Sequence, residues 1–421
     1  MDKVKKYAAI GGLVALAACW PLAVGQFAHN TFQDGIAQIQ QDEVQVQLVQ
    51  YHRGYLSSSA QTKVTIINPV LKQRFEMDGL PTEFVLDHDI RHGLLSVSTD
   101  SKLQNYQQLP IDVHSVTYVN GATELTAVSQ KMTFNFANDV NSKLEFAPAK
   151  LSAHFSTSHE LTFDYQLEGF NGRFSNGESI ILSSLNGSGS GEKKQGFWLG
   201  TQQLKLGELN LIDALGESMV NIHQFDYQFN TQEDAKENTF SSHHQVAVDS
   251  VDFSDETLTD LGFEASFKHL DTKAFSDLLT VYQTNEHQLT AEDIQRATTS
   301  VDTLFSKGFS VSVDEMKASI DDGKFNSQLT LNFPQSDKPV SQNPLQILSS
   351  MEGGANAFIS NEMVKRYPFM QPGLDDMIQQ GMMDQQADGY HINGKITGGN
   401  IQFSGGKSLP LIAFIAPLLF R

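Results

Sequence analysis

The sequence has one cysteine, Cys19, in 421 residues. No intramolecular disulfide is therefore available, and an oxidising compartment leaves no covalent trace. No cysteine nucleophile exists beyond residue 19, and no G-x-S-x-G elbow occurs. Positive charge is scarce: 29 Lys plus Arg stand against 49 Asp plus Glu, for a formal net charge of −20. A surface this acidic repels phosphate backbones, which argues against a nucleic-acid partner. It also repels anionic lipid headgroups, so holding the chain at a membrane requires an anchor. Paired carboxylates such as Asp375-Asp376 are common at this charge and read as a solvated face.

What is there begins at the N-terminus. Lys3, Lys5 and Lys6 precede nineteen uncharged residues, Tyr7 to Gly25, and the next Lys or Arg is Arg53. Nineteen helical residues span roughly 28 Å, close to a bilayer's hydrocarbon thickness. The lysines orient the span with its basic end in the cytoplasm and the remaining chain outside. Residues 1–25 therefore read as an uncleaved signal-anchor, a single transmembrane helix. A cleaved secretory signal has a shorter apolar core, whereas apolar character here continues through Trp20-Pro21-Leu22-Ala23-Val24. Leu16-Ala17-Ala18-Cys19 also resembles the lipobox of bacterial lipoproteins, in which Cys19 would be lipidated. All three readings place the bulk of the chain outside the cytoplasm.

From residue 26 the chain reads as one extracytoplasmic β-rich domain. Its fold class is α+β, mainly antiparallel sheet with a few amphipathic helices. Phe32, Ile36 and Ile39 share a helical face over 26–42. Val44, Val46 and Leu48 then alternate with glutamines, a half-buried strand whose pattern breaks at Val49. Residues 51–59 read as a turn, in which Gly54 supplies φ > 0. Alternation recurs at Met132–Phe136, Leu161–Tyr165 and Phe225–Phe229, then at Val246, Val248 and Val251 after a slip. Asp78-Gly79, Asn120-Gly121, Asn171-Gly172 and Asn176-Gly177 are turn signals. The Gly/Ser-rich stretch 186–194 lacks the spacing of a phosphate-binding loop and reads as a hairpin tip.

Helical insertions are expected near 272–307 and 345–383. Phe275, Leu278, Leu279 and Tyr282 make one apolar face; Ile294, Ala297, Val301, Leu304 and Phe305 make the next. Thr290 and Asp293 form a capping box, and Gly308 closes the second helix. Phe309–Val313 and Leu329–Phe333 read as a hairpin around Asp321-Asp322-Gly323, and 390–403 as a last strand pair turning at Gly398-Gly399. The apolar tail Leu409–Phe420 is too short to span a bilayer and holds Pro410 and Pro417. It is read either as buried against the domain or as dipping into a membrane interface or partner.

His88 and His92 have the i, i+4 spacing of a helical zinc site. Their neighbours read as extended, and on a strand such positions lie roughly 13 Å apart at about 3.3 Å per residue. His243 and His244 face opposite sides of a strand. No metal or other cofactor is expected, and no constellation points to an enzyme.

The stretch Tyr51-His52-Arg53-Gly54-Tyr55-Leu56-Ser57-Ser58-Ser59 resembles the YdgA-like family of bacterial envelope proteins, as do His92-Gly93 and the ending Tyr390–Ile396 with Ser408–Leu411. Leu94 stands where that pattern has proline. The resemblance implies an inner-membrane-anchored periplasmic protein of unknown function, a possible homodimer, with no catalytic residues to carry over. Tyr51, His52, Arg53, Gly54, Ser57, His92 and Gly93 are the candidate ligand or family-motif contacts, against a purely structural turn. The functional expectation is a non-enzymatic protein that binds or passes lipid-like amphiphiles. The alternative is a scaffold or assembly factor that binds envelope proteins through a strand edge or the C-terminal tail.

The charge asymmetry is tested directly by topology. Alkaline phosphatase fused after residue 60 is expected to be active, with the full-length chain in the membrane fraction. Recovery of full-length soluble periplasmic protein would refute retention. Palmitate labelling that disappears in Cys19→Ala would establish the lipoprotein reading instead.

Overall fold

The computed structural model describes residues 44–413, apart from breaks at 78–80, 107–108, 137–138, 159, 195, 254, 285–288 and 344. The anchor, Cys19, the 26–42 helix, the Asp78-Gly79 signal and the tail beyond residue 413 lie outside the described residues. Among the described residues no helix is long and apolar enough to cross a membrane. The fold is mainly antiparallel β-sheet with few helices, as the alternation requires. The chain divides into two compact units, residues 1–188 with 211–217, and 189–210 with 218–421.

The first unit opens with β1 (Val44–Arg53) and β2 (Ser57–Ile66), followed by helix α1 (Pro69–Met77). Then come β3 (Glu83–His92), β4 (Ser96–Leu103), β5 (Ile111–Tyr118), β6 (Thr123–Ser129), β7 (Met132–Phe136), β8 (Asp139–Phe146), β9 (Ala149–Phe155) and β10 (Leu161–Arg173). β1 to β6 pair in sequence as an antiparallel meander. β9 then pairs with β6, β10 with β9 and β8, and β7 with β8. The broken alternation at Val49 is a register irregularity within β1, which continues to Arg53. An extra residue there preserves the inward set on either side of it. The predicted turn over 51–59 is thus only Gly54–Leu56, because its flanks pair residue by residue from Tyr51↔Ala60 to Arg53↔Ser58. No apolar period announced α1; Asn68 starts it by accepting from the Val70 and Leu71 amides.

Two long strands, β11 (Ser179–Lys194) and β12 (Phe197–Ile212), contribute residues to both units. The expected hairpin tip at 186–194 is strand instead. Its glycines serve close approach: a Cβ on Gly191 would lie 2.0 Å from the Leu199 carbonyl oxygen, and one on Gly200 2.1 Å from that of Ser190. Asn171-Gly172 is likewise not a turn but part of β10, paired with Leu144 and Glu145. A side chain on Gly172 would strike the Phe170 ring. Asn120-Gly121 and Asn176-Gly177 do turn, with φ of 93° and 94° at the glycines.

The second unit is a meander of β13 (Ser218–Asp234), β14 (Thr239–Phe253), β15 (Glu256–Asp271), β16 (Phe309–Ile320), β17 (Gly323–Phe333) and β18 (Glu352–Ser360). β18 pairs with β20 (Gly389–Thr397), which also pairs with β19 (Asp384–Gln385) and with β21 (Asn400–Phe403); β22 (Ser408–Pro410) follows on β21. The helices are α2 (Thr272–Thr284), α3 (Ala291–Lys307), α4 (Leu345–Ser350), α5 (Asn361–Arg366) and α6 (Gln371–Gln379). The Thr290–Asp293 capping box forms in both directions, and the Gly308 amide donates to the Leu304 carbonyl. The predicted faces of α2 and α3 are only partly used. Phe275, Leu278 and Leu304 pack in the core, whereas Tyr282 stays 83 % and Ile294 54 % exposed. β18, between α4 and α5, stands inside the stretch expected to be helical; Gly353-Gly354 at its start breaks a helix. Of the C-terminal tail, Leu411 is buried with Met351, Ile396, Ile401 and Phe403.

Candidate functional site

Register decides what the motif residues do. In β2 and β3 the buried positions are Ser58, Ala60, Thr62 and Ile66 against His88, Ile90 and His92, all on one face. Ala60, Ile90 and Val97 make its apolar centre, with Leu48 and Tyr51 packed against them. His92 reaches back to the first turn: Nδ1 lies 3.2 Å from the Tyr55 carbonyl oxygen and Nε2 3.0 Å from Ser58 Oγ. A carbonyl only accepts, so Nδ1 carries the proton; in the neutral ring Nε2 then accepts from the Ser58 hydroxyl. The His92 amide also donates to the Leu56 carbonyl at 2.9 Å. Two of the three stretches that carry the family resemblance are therefore neighbours, and His92 clamps the turn that contains Gly54. Ser58, rather than Ser57, supplies the side-chain partner. His52, Arg53 and Ser57 are exposed, so the candidate set is divided between a buried clamp and a surface.

Gly54 is required for space, and its φ is not positive. Its amide donates to the Ser57 carbonyl at 2.8 Å, and a Cβ would lie 2.4 Å from that oxygen. Gly93 repeats the arrangement with Ser96, at 2.8 Å for the bond and 2.9 Å for the Cβ. Gly54-Tyr55-Leu56-Ser57 and Gly93-Leu94-Leu95-Ser96 are the same Gly-x-Leu-Ser turn used twice. That repeat was present in the sequence as a signal.

His88 sits four residues before His92 on the same buried face. Thr62 Oγ1 lies 2.7 Å from its Nε2 and Ser101 Oγ 2.7 Å from its Nδ1. Each imidazole is occupied by its own hydroxyl partners, as befits two positions far apart on a strand. Burial pushes the His88 pKa from 6.5 down to about 4, with Asp87 opposing the shift. His243 and His244 do face opposite ways. His244 bonds Tyr227 and Ser242 and stacks on Phe229, while His243 faces Ser266 and Asp314. Among the described residues no group of three or more His, Cys, Asp or Glu is placed to hold a metal ion.

A second, larger feature is the apolar face of the long strands. Tyr227 stands opposite Val246, Val246 opposite Phe263, and Phe263 opposite Met316. Phe225, Val248 and Leu261 form the adjacent row. The spacing of three between Phe225 and Ile222, and between Leu261 and Leu258, spans Gln224 and Asp260, whose φ values are 52° and 50°. A left-handed residue inside a strand shifts the alternation by one. The predicted slip at Val251 is thus a kink carried across neighbouring strands. Among the described residues, α2 and α3 cover one end of this face, where Phe240, Leu270, Ala274 and Leu304 are buried together. Further along, none of Phe225, Tyr227, Val246, Val248, Leu261, Phe263 and Met316 is buried, and Phe263 and Met316 keep 39 % and 40 % of their surface. At the covered end, Lys307 binds buried Asp271 at 2.7 Å. A cleft of about 530 Å³ opens beside it, lined by Lys236, His269, Lys307, Phe309 and Asn332.

These features define the class: an antiparallel β-sheet protein whose long strands present a half-covered apolar face. Residues 4–411 match DUF945, described as a bacterial protein of unknown function, and the chain belongs to that family. No curated protein and no solved structure matches it.

The turn geometry predicts a rank order. Gly54→Ala is expected to cost about 1 kcal/mol or more, because backbone must move; Gly93→Ala, with its wider clearance, costs less. Equal, unchanged melting temperatures would show that the turns relax freely. His88 predicts a pH window. Below 6.5 the unfolded imidazole takes up a proton, whereas the folded one does so only near 4. The stability contribution is therefore complete above pH 6.5 and lost as pH falls toward 4, about 3 kcal/mol in total. Melting of wild type and His88→Asn between pH 7 and 5 is expected to converge; parallel curves would refute it.

Proposed function

We propose that this chain is a non-enzymatic, YdgA-like protein of the cell envelope, held at the bacterial inner membrane by residues 1–25 with its bulk in the periplasm, that binds or passes lipid-like amphiphiles. The carrying observation is the apolar face of β13–β16, whose rows align across four strands while its aromatic and aliphatic residues stay half-buried or exposed. Apolar surface of this kind gains on the order of 25 cal/mol per Å² when covered. Acyl chains fit it chemically because the strands supply extended rows of Phe, Tyr, Val, Leu and Met with few charges between them. The uncharged span Tyr7–Gly25 supports placement beside a lipid source. The rival scaffold reading rests on a strand edge or the C-terminal tail; of that tail, Leu411 lies in the core, whereas Ile412 is exposed.

A photo-crosslinking amino acid placed in the full-length chain tests this in cells grown with labelled phosphate. Positions 227 and 263, on the apolar face, are expected to give phospholipid adducts, and position 228, on the opposite face, none. Adducts to a specific envelope protein at 227 and 263, without lipid, would replace the reading with that of a scaffold.

A further inference from the structure

The turns that join β1 to β2, β3 to β4 and β5 to β6 lie at one end of the first unit's meander. Three hairpin tips, Gly54–Leu56, Gly93–Leu95 and Val119–Ala122, stand side by side there, joined at their bases. The His92 amide donates to the Leu56 carbonyl and the Val119 amide to the Leu95 carbonyl, at 2.9 and 3.0 Å. Each tip presents apolar side chains outward: Leu56 is 61 %, Leu94 78 % and Leu95 61 % exposed, with Tyr55 and Val119 near half. Phe155, at the end of β9 opposite Thr123, extends the row and is 44 % exposed. With neighbouring strands about 4.8 Å apart, the fringe runs roughly 25–30 Å. Hairpin tips seldom carry adjacent large apolar side chains, because turns are normally polar.

Charge at this end departs from that of the chain as a whole. Residues 52–58, 91–97 and 117–123 hold Arg53 and Arg91 and no Asp or Glu, in a chain of net charge −20. Arg91 reaches Asp100 at 3.4 Å yet keeps 72 % of its side chain exposed. Apolar tips beneath a collar of cations match the layering of a bilayer surface, with anionic headgroups above acyl chains.

We propose that these hairpin tips dock the chain onto an anionic phospholipid bilayer, with Leu56, Leu94 and Leu95 entering the acyl boundary and Arg53 and Arg91 meeting the headgroup phosphates. This contact is separate from the N-terminal span and does not depend on amphiphile binding by the long strands. It also assigns the Gly-x-Leu-Ser turns a purpose: the close Gly–Ser approach holds the leucines outward.

The test uses the full chain with Cys19→Ser, reconstituted in nanodiscs of phosphatidylcholine with or without phosphatidylglycerol. An environment-sensitive dye is attached at Leu56→Cys, Leu94→Cys or, at the opposite end of the meander, Gln130→Cys. Quenching by doxyl-labelled lipid is expected at 56 and 94, at least several-fold above that at 130, and strongest with phosphatidylglycerol. Arg53→Gln with Arg91→Gln is expected to bring the phosphatidylglycerol result down to the neutral-lipid level. Quenching at 56 and 94 no greater than at 130 overturns the proposal. So does a dye shielded from both lipid and aqueous quencher with short tip-to-tip distances between spin labels, which would make the fringe an interface between two copies. Melting temperatures of the labelled proteins equal to the parent's establish that each is folded.

Discussion

An antiparallel sheet with one apolar face has to cover that face, and the cover here is partial. β13, β14 and β15 run 17, 15 and 16 residues, on the order of 50 Å each at about 3.3 Å per residue. α2 and α3, of 13 and 17 residues, reach only about 20–25 Å at 1.5 Å per residue. Helices of that length close one end of the face, around Phe240 and Leu270, and leave the rows of Phe225 and Tyr227 half-buried. The rest of the second unit follows from that shortfall. Its dense clusters sit where helices or the last strands are available, around Met351 and Ile396 and around Val364 and Tyr390.

The first unit meets the same requirement with polar groups as well as apolar ones. Its buried face mixes Ile90 and Ala60 with His88, His92, Ser58 and Thr62. Such a mixture is tolerated only because each imidazole is satisfied by hydroxyl or carbonyl partners at 2.7–3.2 Å. For His88 neutrality is part of the arrangement, since burial disfavours its charged ring. His92 additionally ties the end of β3 to the turn after β1. The interior and the exposed tips are in this way one structure: the buried clamp sets the position from which Tyr55 and Leu56 project.

Much of this was readable in sequence where the governing forces are local. The Thr290–Asp293 box, the Gly308 stop, the turns at Gly121 and Gly177, and the hairpin around Asp321–Gly323 each depend on a handful of consecutive residues. Alternation at Phe225–Phe229 and Leu329–Phe333 was equally plain. Asn171-Gly172 and the 186–194 stretch were misread for one reason. Glycine serves φ > 0 in a turn and close approach in a strand, and composition does not separate the two. Gly54 is the same case: its need arises from the Ser57 carbonyl three residues on and from the pairing that holds it there. Of the candidate site, the motif residues were found, but their division into a clamp and a surface was not, because Ser58 and the Tyr55 carbonyl become partners of His92 only across 34 and 37 residues.

Periodicities, turns with obligatory left-handed glycines, helix caps and the lysine-to-uncharged asymmetry of the first 25 residues are all legible along the chain. Each is a property of neighbours along the chain, where steric and electrostatic preferences act without reference to the fold. Only the tertiary structure decided which alternating face is covered, which glycines mark contact rather than curvature, and that Gly54 and Gly93 build matching tips at one end of a sheet. Those outcomes depend on register, and register brings together residues whose separation in sequence carries no signal of their separation in space.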